Sequence, residues 1–246
     1  MDLTPKVHFL GMTFDVTLMI GTVVSALIVM LIVFLLTRKL SLRPSGKQNL
    51  MEYIVDFISG ITGMMLEKKE SARYLSFALT IFLYILIANL LGVAVMVTAS
   101  AHGPLPGLGI TAALLKSSSS VSWFKSPTSD INVTVAMAGA IFLYAHFAGI
   151  AKSPRGYLAH YVTPYAWMLP IHIIDEVSKP ATHALRLWAN IFAGEVLILI
   201  LREGAFYFTA VPLFVWMGFS VFVGCIQAYI FTVLAMVYIA QKVGEE

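Results

Sequence analysis

The sequence predicts an all-α integral membrane protein. Five transmembrane helices are expected, with one amphipathic helix along the membrane surface, and the last two spans long and strongly tilted. Three observations carry this. Only 12% of the 246 residues are charged and 59% are hydrophobic, whereas a soluble domain has about 25% charged residues. The charges are also segregated, leaving residues 16–36, 74–100, 131–150 and 205–241 uncharged; about 20 apolar residues cross a bilayer core. A fifth stretch, residues 181–200 (ATHALRLWANIFAGEVLILI), is apolar apart from Arg186, Asn190 and Glu195 and a few small polar groups.

Residues 1–14 precede the first span and read as a short external segment. Nothing there has the basic region, short apolar core and small-residue site of a cleavable signal. The first helix is expected over 15–37, followed by a basic turn, KLSLRPSGKQ. Residues 49–66, NLMEYIVDFISGITGMML, place apolar residues at helical spacing with Glu52 and Asp56 between them. That pattern suits a helix lying in the membrane interface. The second span is expected to end near Ala101. Residues 102–129, rich in Gly, Pro and Ser, then read as an irregular external loop. The third span follows, and after it comes an aromatic, proline-punctuated stretch at the opposite interface.

The last two helices read as residues 169–201 and 212–241, joined by a turn over 202–211. At 1.5 Å per residue they run roughly 50 and 45 Å, beyond the roughly 30 Å core. Tilting or kinking accommodates such lengths, and Pro180 is a place for a kink. The whole chain, 1–246, is expected to form a single membrane domain, with 169–241 as its tilted hairpin.

Charge distribution sets an expected orientation. Arg38, Lys39, Arg43, Lys47, Lys68, Lys69, Arg73, Lys152, Arg155 and Lys242 fall on one side. The other side has only Lys6, Lys116, Lys125 and Arg202. The positive-inside rule then puts the N-terminus outside and the C-terminus in the cytoplasm, as an odd number of crossings requires.

Arg186 is the residue hardest to explain by packing. A guanidinium does not shed its charge, and at mid-bilayer it costs roughly 3 kcal/mol on insertion scales. At about 100° per residue, Asp175 lies about 20° from Arg186 around the helix, Lys179 on the same stripe, and Asn190 about 40° away. Glu195 points to about the opposite face. Ser220 and Gln227 share a face of the last helix, also within about 20°. The layout suits two offset water-filled paths, one from each side, separated by the arginine. An intramembrane carboxylate such as Glu195 points to a proton or ion path. Asp175 with Lys179 also reads as a plain interfacial ion pair, and Asn190 and Gln227 as interhelical hydrogen-bonding residues. His146, alone in the third span, reads as a hydrogen-bonding residue ahead of a proton relay. His172 and His183 lie near the Arg186 helix, where they could tune one path.

Other chemistries lack a motif. The chain has no Walker A sequence, nucleophile elbow or dinucleotide fingerprint, and no His/Cys metal spacing. Its single cysteine, Cys225, has no intrachain partner. No cofactor, no metal, no nucleic-acid partner and no enzymatic activity of its own are expected.

The residues also resemble a known family. SKPATHALRLWANIFAGE (178–195) is similar to the signature of subunit a of the F-type ATP synthase, SKP-x-x-x-x-x-RL-x-x-N-x-x-x-GE. IQAYIFTVLAMVYIA (226–240) resembles that family's final helix, PTSDINVT (127–134) the start of its third span, and NLLG (89–92) part of its second. The resemblance implies a membrane stator beside a rotating ring of c subunits, each with a buried carboxylate. Two half-channels would bring protons to that carboxylate and remove them. Arg186 would be the essential stator charge. Glu195, Asn190 and Gln227 would line the external path or support the arginine, with Ser220 also on the proton path; Asp175 and Glu176 would suit the cytoplasmic path, with His172, His183, Lys179 and Asp130 as further candidates. Ser220 stands where some members carry a histidine facing the carboxylate at Glu195, and Gly194 is small, as in ordinary proton-driven members. Implied partners are the c-ring, the peripheral-stalk b subunits, the rest of the synthase and membrane lipid, in the cell membrane. The competing reading is a stand-alone proton-coupled secondary transporter, against which the lack of an internal repeat counts.

Overall fold

A computed structural model describes residues 3–9, 11–38, 41, 46–95, 97–100, 103, 109–110, 120–154, 157, 165–204 and 206–243. Lys39, Arg43, Lys116, Arg155, most of residues 102–119 of the expected 102–129 loop, and most of residues 155–164 of the expected 153–170 interface stretch lie outside them. Among the described residues there are six long helices: α1 (Val16–Thr37), α2 (Lys47–Met65), α3 (Lys68–Ala94), α4 (Ile131–Lys152), α5 (Leu169–Glu203) and α6 (Phe206–Val243). All but α2 are long and apolar enough to cross a membrane.

The helix starts follow local chemistry. Asp15 caps α1, its carboxylate accepting from the backbone N–H groups of Thr17 at 3.0 Å and Leu18 at 3.4 Å. It is therefore the N-cap and not the first helical residue. Asp130 caps α4 in the same way, accepting from Asn132 N–H at 2.8 Å. The basic and acidic residues Lys68 to Arg73 form the first turns of α3, so this helix begins before its apolar run.

The described end of the region expected as an irregular loop, residues 120–129, holds a strand and a 3₁₀ turn. α3 stops at Ala94, and Val97–Ser100 becomes a strand, β3, paired antiparallel with Ser120–Phe124, β4. The second span is thus shorter at this end than its uncharged run. Pairing gives the backbone of both segments hydrogen-bond partners where they cover the helix ends. Here β3 and β4 are numbered after a further hairpin near the N-terminus, β1 (Lys6–Phe9) with β2 (Met12–Asp15), which turns at Gly11 with φ 77°. A single 3₁₀ turn, Pro127–Ser129, leads into α4, and all three of its residues are buried.

α5 and α6 have 35 and 38 residues, so α5 ends two residues later than predicted and α6 begins six earlier and ends two later. Pro212 was expected to begin the last helix. It lies in the second turn of α6 instead, where its missing N–H forfeits only the bond to the Phe208 carbonyl. α6 packs against α3, α4 and α5. The shared core combines large side chains (Ile58, Ile85, Leu187, Met236, Ile239) with fully buried Ala78, Ala88, Ala184, Ala228 and Ala235. Alanine at these positions lets helix backbones approach closely. α2 contributes Met51, Ile58 and Ile61 to this core, while Leu50, Tyr53, Phe57 and Met64 face outward. Apolar groups on both faces suit a helix at the membrane boundary.

Candidate functional site

Arg186 is exposed on the outer face of α5. Around it on that face lie Thr182, Leu185, Ala189, Asn190 and Ala193, all exposed and mostly small. No described carboxylate forms an ion pair with Arg186. The residues on either side along the helix form two separate buried groups.

The first group lies about ten residues before Arg186. Lys179 pairs with Asp175 at 2.9 Å, the i,i+4 geometry that their spacing allows. It also reaches Glu176 Oε1 at 3.2 Å. Lys242, from the end of α6, contacts the same oxygen at 2.5 Å. His146, from α4, brings Nε2 to 3.5 Å from Glu176 Oε2. Glu176 and Lys242 are buried, whereas the Asp175 side chain is 61% exposed. Three helices therefore meet at one carboxylate. Lys152 tightens the junction by donating to the Val243 carbonyl at 2.6 Å. A Cβ on Gly149 would come within 2.9 Å of the Lys242 carbonyl oxygen, so α4 and α6 approach closely here.

The second group lies nine residues after Arg186. Glu195 is 4% exposed. Lys125 Nζ stands 4.0 Å from its Oε2, and Oε1 has no hydrogen-bond partner. Glu195, Asn190, Gly194, Trp216 and Ser220 line a cavity of about 30 Å³, enough for one water. Ser220 Oγ is buried and likewise has no hydrogen-bond partner. Trp216 donates its indole N–H to the Gly194 carbonyl at 3.2 Å, joining α6 to α5 beside the cavity.

A hydroxyl and amide network holds the Lys125–Ser129 segment against the bundle. Ser126 donates to the Ala88 carbonyl at 2.9 Å, and Thr128 donates to Asn89 Oδ1 at 2.7 Å. Asn89 in turn donates to the Gly224 carbonyl at 3.0 Å. Gly92 has no room for a side chain: a Cβ would lie 2.6 Å from Ser126 Cβ and 3.2 Å from Glu195 Oε1.

The remaining sequence candidates separate clearly. Gln227 is buried on α6, between Ser220 and Lys242 in chain order. His183 is buried with its ring 3.8 Å from that of Phe231 and 5.5 Å from that of Tyr238, on the packed side of α5. His172 is partly buried one turn before Glu176. Asp130 uses its carboxylate to cap α4, and no described ion pair joins it to Glu195.

Sequence reasoning missed Lys242 and Lys125 as site residues and set His146 aside. The two lysines flank long uncharged runs and were read only as topological charges. A lysine at the border of a long apolar run, Lys242 at the end of α6 and Lys125 ahead of α4, is the available signal, because its long stem lets the ammonium reach inward.

The chain is also similar to known proteins. The profile of the family described as ATP synthase A chain matches residues 19–240. ATP synthase subunit a of Macrococcus caseolyticus is 40% identical over 96% of this chain and 93% of its own length. The proteins of the same description from Alkalihalophilus pseudofirmus and Priestia megaterium are 37% and 35% identical. These alignments cover 97% and 99% of this chain, and 96% and 98% of the relatives. With a family match over nearly the whole length, and five helices fit to cross a membrane, this multi-pass membrane protein belongs to the ATP synthase subunit a family.

Proposed function

We propose that the chain is the proton-translocating stator of an F-type ATP synthase in the cell membrane. Its N-terminus is outside and its C-terminus cytoplasmic. The observation that carries this reading is the exposed Arg186 between two buried carboxylate groups. Glu176 lies ten residues to one side and Glu195 nine to the other, roughly 15 and 14 Å along the axis. A fixed cation on a smooth outer face, without a described anion of its own, calls for a carboxylate on another protein. The c-ring supplies it. The small side chains at Ala189 and Ala193 allow the ring helix to approach.

Each part then has a physical task. Arg186 favours the ionised form of the passing ring carboxylate, because a nearby opposite charge stabilises it. The same charge repels a proton crossing directly between the paths. Glu195, Asn190 and Ser220, with Gln227 deeper on α6, form the external path. Glu176 and Asp175, with Lys179 and His172, form the cytoplasmic one, and His183 lies between it and Arg186. Asp130 fixes the start of α4. The b subunits and the remainder of the synthase hold the chain against the ring.

Arg186→Ala in the assembled complex tests the reading. Proton-driven ATP synthesis should vanish while the chain still co-purifies with the ring. Coupled synthesis at the wild-type rate in that variant would sink it.

A further inference from the structure

The contact between His146 and Glu176 has a constraint of its own. His146 Nδ1 lies 2.9 Å from the Phe142 carbonyl oxygen. A carbonyl only accepts, so Nδ1 carries the hydrogen. In a neutral ring Nε2 is then a lone pair, and it faces Glu176 Oε2 at 3.5 Å. Two acceptors facing each other across a buried gap repel; a proton on Nε2 turns the same geometry into an ion pair.

The surroundings set how firmly that proton is held. Facing His146 are Glu176 with Asp175 and Lys179 behind it on α5, Lys242 on α6, and the Tyr157 ring at 5.9 Å beyond α4. Among the described residues two lysines balance two carboxylates when the imidazole is neutral, so a proton on His146 adds one positive charge to them. Geometry favours the proton and the charge balance does not. That combination suits transient occupancy better than a permanent imidazolium. His146 is also the more open member, its side chain 19% exposed against 11% for Glu176.

We infer that His146 is a proton-carrying residue at the cytoplasmic end of the proton path, with Glu176 as the positioning carboxylate that stabilises its charged form. In the loading step a path hydronium transfers its proton to Nε2: the O–H bond breaks, the N–H bond forms, and a water remains. Unloading is the reverse, to water at the exposed ring edge. Lys242 and Lys179 keep Glu176 ionised and in place throughout. This inference rests on the proton-path reading above.

The test uses the whole complex in vesicles and measures ATP-driven proton pumping between pH 5 and 8, the range in which histidine changes charge. His146→Gln keeps a donor and an acceptor but carries no proton. Its pumping rate should fall roughly tenfold, less than the roughly hundredfold typical of a positioned proton-transfer group because water offers a bypass. The step in the wild-type profile should also disappear, and in Glu176→Gln that step should shift. Wild-type rate and profile in His146→Gln overturn the inference. Arg186→Ala is run alongside: pumping that survives it defeats the proton-path reading itself, whereas pumping that needs Arg186 but not His146 defeats only this one. If His146→Gln fails to assemble, ¹⁵N NMR of histidine-labelled wild-type complex decides. A ring that is Nδ1–H when neutral and doubly protonated at lower pH supports the relay; an Nε2–H ring throughout overturns it.

Discussion

Glu176 and Glu195 are the same residue type on one helix, both buried, yet their charges are compensated differently. Glu176 meets Lys242 at 2.5 Å, Lys179 at 3.2 Å and His146 at 3.5 Å. Glu195 has one lysine at 4.0 Å and a cavity of about 30 Å³ beside it, while each carboxylate keeps one oxygen without a hydrogen-bond partner, Oε1 of Glu195 and Oε2 of Glu176. A buried charge is tolerated when paired and hydrogen-bonded. Glu176 meets that rule through Oε1, which two lysines hold, whereas Glu195 has a single, more distant lysine. The first carboxylate is built to keep its charge and tie three helices together. The second is more loosely compensated, with room for water, as the proposed proton path asks of a group that gains and loses a proton.

Breaking the tighter site should have the largest effect on stability. Lys242→Met removes the closest cation from Glu176 and the contact between α6 and α5. Removing one partner of a buried pair costs about 3–5 kcal/mol; with Lys179 still in place, about 3 kcal/mol is expected here. A thermal unfolding midpoint of the purified complex unchanged from wild type would show that Glu176 is not held as the geometry indicates.

Gly92→Ala comes next, and it strikes the looser site through packing alone. The new Cβ would meet Ser126 Cβ at 2.6 Å and Glu195 Oε1 at 3.2 Å. Overpacking of this kind costs about 1–3 kcal/mol. The strain falls on the segment presenting Lys125, so proton pumping should drop more than thermal stability does. Equal losses in both would mean that the segment is only structural.

The comparison also shows what a one-dimensional reading reaches. The spans were legible because lipid imposes long uncharged runs, and the positions of Arg186 and Glu195 on opposite faces followed from helical angle. The exposed arginine and the buried carboxylate agree with that arithmetic. What was not legible came from distance in the chain. Lys242 is 66 residues from Glu176, and Lys125 is 70 before Glu195; no helical period connects them. The pairing of β3 with β4 was hidden for the same reason, since an uncharged run over 95–100 reads equally as helix. His146 looked solitary because its partner is on another helix.

Lys125→Met separates the two functions of a cation at the looser site. At 4.0 Å and with a side chain 30% exposed, the pair should contribute little to stability, within the about 0–1 kcal/mol of exposed pairs. Pumping should nevertheless slow by about tenfold, corresponding to about 1.4 kcal/mol of lost stabilisation along the proton path. Lys125→Arg should restore most of it, because only a cation is needed. Failure of arginine to restore the rate, with the complex intact, would assign the lysine a packing role.

Ser220→Ala asks for the smallest effect and isolates the cavity. Ser220 Oγ makes no hydrogen bond within the described protein, so alanine forfeits none and should leave stability within about 0.5 kcal/mol. If the hydroxyl orients water beside Glu195, its loss removes one such contact, worth about 0.5–1.5 kcal/mol, or about two- to tenfold in pumping rate. Ser220→Thr keeps the hydroxyl while filling part of the cavity. A slow threonine variant beside a normal alanine variant would mean that space, and not the hydroxyl, matters next to Glu195. The reverse order assigns the hydroxyl the part that the roomy, under-bonded site leaves for it.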